Sequence, residues 1–586
     1  MKREHLGLYR LFTTGPLIAL MLTVGPWIQA ASPTRAQPAT PASAAESGKQ
    51  PNIVFLLTDD LDLTSYQDFP NFKKYMLDQG TYFDHYFVDD SLCCPSRSST
   101  LRGQYVHNTG VQGNVAPNGG FQRFHDLGNE NSTIGTWLQA DGYQTALIGK
   151  YLNGYPGKQP ETYVPPGWSE WDSPAAGNPY GEYNYTLNEN GKLVKYGDQP
   201  EDYGTDVYGK KADAFITQSA ANGKPFFLYL ATYAPHQPAT AAPQDLNAFP
   251  NATAPRTPSF NEQDMSDKPA WIRDRALQTD KQVTEIDALY WKRLQSMLDV
   301  DRILGNLVTT LQASGQLDNT YIVFASDNGF HLGQHRLPPG KQTAYEEDIH
   351  VPMVIRGPGI AAAAVNHELV ANIDLAPTFA AIADASVPDF VDGRSIMPLV
   401  SANPPTTWRQ SFAIEHFVNA TSKSDPDNEN FSSSRSRAPA NKKGANKSGK
   451  MGAVPPTYVA IRTTTYLYVQ YDDGERELYD LTKDPFELDN LAPQASTGLM
   501  GALEARVKAF VGCKGSTCRS LEEEAPPRLD LGGTPSATPT ATPTASPVAI
   551  AAATGEIGNH FLLMRDADRI SASIHGGHGM MPAYRP

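Results

Sequence analysis

An α/β fold is predicted: one large sheet flanked by helices, with a smaller C-terminal α+β unit after it. Three features of the chain predict it. First come short runs of continuous apolarity in PNIVFLLTDD, KPFFLYLATYAPHQP, TYIVFASDNGFHLGQH and VPMVIRGPG. Unbroken rather than alternating apolar residues mean burial on both faces, as in a parallel or mixed sheet covered by helices. Second, strand and helix alternate. STIGTWLQADGYQTALIGKYLN reads helix, glycine turn, strand, and WKRLQSMLDVDRILGNLVTTLQASG has apolar residues at helical spacing. Third, three of the strands end abruptly in ionisable or amide residues, and in such sheets sites gather beyond the carboxyl ends of the strands.

The composition sets limits on partners. The chain has 586 residues, 40% of them hydrophobic, which is ample for a large core. A formal net charge of −15 argues against a nucleic-acid partner held by bulk attraction. An anionic substrate would need a locally positive pocket.

The N-terminus reads as an export signal over residues 1–31, with basic residues, the apolar run LIALMLTVGPWIQA and small residues after it. The run is short of the ~20 apolar residues that a spanning helix needs, so stable membrane insertion is not expected. A flexible leader follows over 32–50, and the expected location is secreted, periplasmic or cell-surface. The large domain is expected over 51–400 and a smaller one over 401–520. The smaller one contains a basic surface loop, 421–452, and YVAIRTTTYLYVQYDDGERELYD, which suits a small antiparallel sheet. Residues 521–586, with TPSATPTATPTASP, read as a low-complexity tail.

There are four cysteines. In an exported chain Cys513 and Cys518 are placed to close a small disulfide. Cys93 and Cys94 cannot easily bond each other, because neighbouring residues strain disulfide geometry. Packing, metal ligation and nucleophilic roles all stay open for them. Asp59 and Asp60 end one strand, and Asp327 with Asn328 ends another. Three carboxylates and an amide oxygen form a hard set suited to Ca²⁺ or Mg²⁺, not Zn²⁺. Helix or turn capping is the competing role for each pair. Lys150, His236, His331, His335 and Lys341 also follow apolar strands, which makes a common anion pocket plausible.

CCPSRSSTLRG resembles the signature of the type I sulfatases. The resemblance extends through SDNGFHLGQHRLPPGKQTAYEEDIHVPMVIRGPG to ELYDLTKDPFELDNLA. It is closest to the branch of N-acetylglucosamine-6-sulfatases and heparan endosulfatases, which GKYLNGY and YVPPGWSEW also resemble. The resemblance implies the alkaline-phosphatase-like version of the mixed sheet and a sulfuric ester hydrolase. It implies that Cys93 is oxidised to Cα-formylglycine by a formylglycine-generating enzyme. Asp59, Asp60, Asp327 and Asn328 would hold one Ca²⁺ ion with residue 93 beside it. Arg97 would support the formylglycine hydrate, and Lys150, His236 and Lys341 would hold the sulfate. His331 would be a further active-site group, and Cys94 a small packed neighbour.

In that chemistry one hydroxyl of the aldehyde hydrate attacks sulfur and deprotonation of the other expels sulfate. His236, His331 and Lys341 are the candidates for protonating the leaving alkoxide. Two departures from the family pattern stand out. Arg102 and Gln104 occupy positions where many members have Thr and a basic residue, and Leu152 with Asn153 replaces a histidine site. The implied substrate is a sulfated sugar, such as N-acetylglucosamine-6-sulfate or a glycosaminoglycan. Competing readings are a broad arylsulfatase acting on aryl sulfates, a phosphatase or phosphodiesterase of the same superfamily, and an inactive binding protein.

Overall fold

The apolar runs form the middle of a ten-stranded mixed sheet. The structure, a computed structural model, describes residues 50–418 and 455–531 except Ser65, Gln67 and Asp68. The expected export signal, the leader up to residue 49, the basic loop 421–452 and the chain from residue 532 lie outside the described residues.

In chain order the strands are β1 (Asn52–Thr58), β2 (Thr81–Phe83), β3 (Gln144–Gly149), β4 (Glu170–Gly177) and β5 (Tyr185–Glu189). There follow β6 (Lys192–Tyr196), β7 (Phe226–Ala231), β8 (Thr320–Ser326), β9 (Met353–Arg356) and β10 (Ala364–Asn366). Their spatial order is β10-β2-β9-β8-β1-β7-β3-β4-β5-β6. The central five, from β8 to β4, run parallel, and antiparallel strands flank them. Every residue of β1 is buried. Ile53, Phe55 and Leu57 enter one apolar cluster while Val54 and Leu56 enter another, which is why the run shows no alternation.

Helices cover both faces. α1 (Cys93–Arg102), α2 (Ile134–Ala140) and α5 (Leu375–Ala383) pack on the first cluster; α3 (Gly204–Asn222) and α4 (Asp280–Ala313) pack on the second. α4 starts eleven residues before the apolar stretch beginning at Trp291. A reciprocal cap explains the extension: the Thr279 hydroxyl accepts from the Gln282 N–H, and the Gln282 side chain accepts from the Thr279 N–H at 2.9 Å.

The C-terminal part is an antiparallel sheet of β11 (Ser411–His416), β12 (Tyr458–Thr463), β13 (Tyr466–Tyr471) and β14 (Arg476–Asp480), in that order. α6 (Thr497–Val511) and α7 (Ser516–Glu523) follow it, with Cys513, between them, joined to Cys518 of α7. Structure continues past the tail boundary expected at residue 521. Glu522 is fully buried and accepts from Arg409 Nε and Arg394 Nη2, each at 2.9 Å, so α7 is held to its end.

Candidate active site

β8, β1, β7 and β3 are neighbours, so the residues just past their carboxyl ends converge. Asp327 and Asn328 follow β8, Asp59 and Asp60 follow β1, His236 lies one turn beyond β7, and Lys150 follows β3. α1 supplies Cys93, its first residue, and Arg97 one turn on. The N-terminal end of a helix favours negative charge. Asp60 has a left-handed backbone, φ 66°, which is rare outside glycine and asparagine. Arg293 of α4 holds it there: Nη2 donates to the Asp60 carbonyl and to Asp62 Oδ2, the latter at 2.8 Å.

Cys93 is fully buried, and its thiol donates to Asp59 Oδ1 at 3.3 Å. Lys341 Nζ lies 2.8 Å from Cys93 Sγ and 2.6 Å from Asp60 Oδ1. Lys150 Nζ donates to Asp59 Oδ2 at 2.5 Å, and His236 Nε2 is 3.6 Å from Asp60 Oδ2. Arg97 Nε donates to Asp327 Oδ2 at 2.7 Å, while Asp327 Oδ1 accepts the Asp60 N–H at 3.0 Å. Asn328 Nδ2 donates to Asp60 Oδ1 at 2.7 Å. The structure therefore brings Asp59, Asp60, Cys93, Arg97, Lys150, His236, Asp327, Asn328 and Lys341 into one cluster.

The charges are strongly perturbed. Burial pushes the Asp59 carboxyl up to about 6 against the pull of Lys150. Burial opposes ionisation of Asp327 too, yet Arg97, Lys150 and Lys341 hold it down to about 2. Burial works against the Lys150 ammonium, but Asp59 keeps it well above the usual lysine range.

Donor atoms of Asp59, Asp60, Cys93 and His236 all lie within 4.8 Å of one another. Asn328 Oδ1 is buried and accepts no hydrogen bond. An unpartnered amide oxygen beside adjacent carboxylates is a donor set that fits a hard divalent cation.

His331 is tied to the same region by backbone hydrogen bonds with Gly340, at 2.8 and 3.0 Å, next to Lys341. Its Nδ1 is 2.9 Å from Asp348 Oδ1, and its Nε2 is buried without a hydrogen-bond partner. His335 turns instead to Glu262, at 2.7 Å. Cys94 is packed: it is fully buried, and burial pushes its thiol up to about 12. Arg102 donates to Gln104 Oε1 and to the Asn129 and Ser132 carbonyls, each at 2.8 Å, so both residues have a place in the folded protein.

Two contributors escape sequence reasoning, and a third, Tyr180, lies in NPYGEYNYTLNENGK, whose aromatics suit stacking on sugar rings or core and hairpin packing. Asp348 orients His331, Arg293 supports Asp60, and Tyr180 lies against the cations. The Tyr180 ring is 4.6 Å from that of His236 and 5.1 Å from Lys150 Nζ. An open cleft of about 320 Å³ runs from Lys150 past Asn153, Tyr155, Asn178, Tyr180 and Tyr233. It lies beside the charged cluster, where the rest of a substrate would extend.

The geometry meets three comparisons with known proteins. Residues 51–385 match the family model described as Sulfatase. The N-acetylglucosamine-6-sulfatase of Capra hircus is 36% identical over 492 residues, covering 82% of this chain and 86% of that protein. The arylsulfatase of Chlamydomonas reinhardtii is 34% identical over 521 residues, covering 82% and 77%. Among solved structures, a protein bound to its substrate D-glucosamine-2-N,6-O-disulfate aligns with a TM-score of 0.63 at 23% identity. That match covers 81% of this chain and 99% of the other, and it shows the shared alkaline-phosphatase-like fold.

Proposed function

Since the chain belongs to the sulfatase family, we propose that it hydrolyses the 6-O-sulfate ester of a glucosamine-containing sugar, with residue 93 as nucleophile. Its class, a sulfuric ester hydrolase, follows from the family. One observation carries the reading of residue 93 as nucleophile: its side chain lies between carboxylates and a lysine, 3.3 Å from Asp59 and 2.8 Å from Lys341 Nζ. The similarity to N-acetylglucosamine-6-sulfatases supports the sugar.

The Cys93 Sγ marks where the modified side chain would project. Formylglycine there would supply a carbonyl hydrate, with one hydroxyl to attack sulfur and a second to expel sulfate. Asp59, Asp60, Asp327 and Asn328 would hold Ca²⁺, which would supply positive charge to orient and acidify that hydroxyl. Lys150, His236 and Lys341 oppose the negative charge on the sulfuryl oxygens, at fixed positions in a buried site. Arg97, anchored on Asp327, adds its charge from behind residue 93. Protonated His331 would give its Nε2 proton to the leaving alkoxide, with Asp348 accepting from Nδ1 and steadying the imidazolium. Tyr180 and Asn153 offer a ring face and an amide to the sugar in the cleft.

The site is reached after export, on the reading of residues 1–31 as a signal. No helix among the described residues is long and apolar enough to cross a membrane. A second reading, a broad arylsulfatase, is favoured by the similarity to the algal enzyme.

The test is sulfate release from a panel of defined sulfated sugars and aryl sulfates. Mass analysis of the residue 93 peptide accompanies it, with Cys93→Ala as control. Preference for 6-O-sulfated glucosamine supports the proposal, and preference for aryl sulfates supports the second reading. Formylglycine-bearing protein that releases sulfate from none of them overturns both.

A further inference from the structure

A second cluster, of buried His335 and Glu487 with half-buried Glu347, lies where the loop after β8 meets the segment after β14. One donor atom each from His335, Glu347 and Glu487 lies within 4.8 Å of the others. We propose that these three side chains bind a divalent cation of the Mn²⁺ or Zn²⁺ kind, at a site separate from the catalytic one.

The hydrogen bonding points to a common ligand. His335 is fully buried, and its Nδ1 bonds Glu262 Oε2 at 2.7 Å. With a carboxylate taking the Nδ1 proton, Nε2 presents a lone pair, the arrangement in which a second carboxylate orients a metal-ligating histidine. That Nε2 is buried and has no hydrogen-bond partner. Glu347 Oε1 accepts from Ser259 Oγ at 3.1 Å, while its Oε2 has no partner. Glu487 Oε2 accepts the Glu346 N–H at 3.0 Å, while its Oε1 has none. Each side chain is thus fixed through one atom and left with one unused lone-pair atom. Burying such atoms together without a donor or a cation is costly.

Protein cations nearby are engaged elsewhere. Lys268 Nζ donates to the Glu487 and Leu488 carbonyls at 2.8 and 2.5 Å. The Arg336 guanidinium is spread over the carbonyls of Glu262, Arg275 and Gln263, each at 2.7 Å. Arg462 Nε donates to Glu346 at 2.7 Å. The Tyr345 ring stacks on His335 at 4.0 Å and fixes the imidazole plane.

One imidazole with two carboxylates suits Zn²⁺ or Mn²⁺ better than Ca²⁺, which prefers oxygen alone. His335 and Glu347 bracket Lys341 in sequence, and Glu487 comes from the C-terminal unit. A cation here would fasten both ends of the segment that carries Lys341 to that unit. The competing arrangement is a proton shared between Glu347 and Glu487.

The experiment measures bound metal in the purified full chain by mass spectrometry, with Ca²⁺ saturating and MnCl₂ or ZnCl₂ added and then removed by desalting. The expected result is one tightly held equivalent of Mn²⁺ or Zn²⁺, lost in His335→Ala and in the isosteric Glu487→Gln. Added metal raises the Tm of the wild type and leaves both variants unmoved. Should the variants fail to fold, wild-type crystals grown with MnCl₂ decide: an anomalous-scattering peak touching all three side chains is expected. No tightly held equivalent in the wild type, an equivalent that survives in both variants, or no such peak overturns the proposal in favour of the shared proton.

Discussion

Around Arg409 every carboxylate oxygen has its partner. Arg409 donates to both oxygens of Asp374, at 2.5 and 2.8 Å, and to Glu522 at 2.9 Å. The Asp374 oxygens also take the N–H groups of Ala371 and Arg394 at 2.9 Å, and the Tyr105 hydroxyl bonds the remaining oxygen of Glu522. Around Cys93 the residue types are similar and the burial is as deep, but the hydrogen bonding stays open. Asn328 Oδ1, Arg97 Nη2 and His331 Nε2 are buried without hydrogen-bond partners, and Asp60 is held in a left-handed backbone. Buried charge alone therefore does not mark a working site. Incomplete satisfaction beside a reactive atom does.

Substitutions challenge this contrast from either side. Cys93→Ala should lower sulfate release by roughly 10⁴-fold or more while thermal unfolding stays close to the wild type. Arg409→Ala should do the reverse: it strands Asp374 and Glu522, and should cost about 3–5 kcal/mol in urea unfolding. The folded fraction should keep its specific activity.

His331→Ala tests the open cluster more finely. It should lower kcat by roughly 10²- to 10³-fold on sugar sulfates. It should matter far less for aryl sulfates with acidic leaving groups, which depart without a proton. Equal losses on both substrates would remove His331 as the acid.

The smallest effect concerns pH on the satisfied side. His107 bonds Glu415 through Nδ1 at 2.9 Å and the Cys513 carbonyl through Nε2 at 3.1 Å. Burial opposes its protonation, but Glu415 raises it from 6.5 to about 9. A raised folded value means that the stabilisation is whole below 6.5 and lost as pH rises through about 9. Tm should fall over that interval by roughly 2 °C, and His107→Gln should flatten the fall.

Much of the open cluster was legible because the strands themselves announce it. Val54 to Leu57 cannot tolerate polar neighbours inside the sheet, so Asp59 and Asp60 stand out where the sheet ends, as Asp327 and Asn328 do after β8. Adjacency of four strand ends then does the gathering, which the α/β pattern made plausible and the family resemblance assigned residue by residue. Asp348 and Arg293 were not legible, because their roles depend on contacts between distant segments. Arg293 lies on α4 and reaches Asp60, more than two hundred residues earlier in the chain. The length of α4 was missed for a local reason: its first turns carry a cap rather than an apolar stripe. The cluster around Arg409 left no mark either, since single arginines and glutamates in a sequence look like surface.

All ten residues of α1 are buried, from Cys93 to Arg102. On the proposed function, an enzyme converting the Cys93 thiol would have to reach it before the fold closes, because the folded protein keeps the whole helix out of solvent. On that reading, activation would be a decision taken once in the life of each molecule, before its core closes. Copies that closed before conversion would then stay idle, and the working share of a batch would be set at synthesis. Yield in production would then depend on matching the rate of chain synthesis to the supply of the converting enzyme, and no later treatment of the folded protein would recover the idle share.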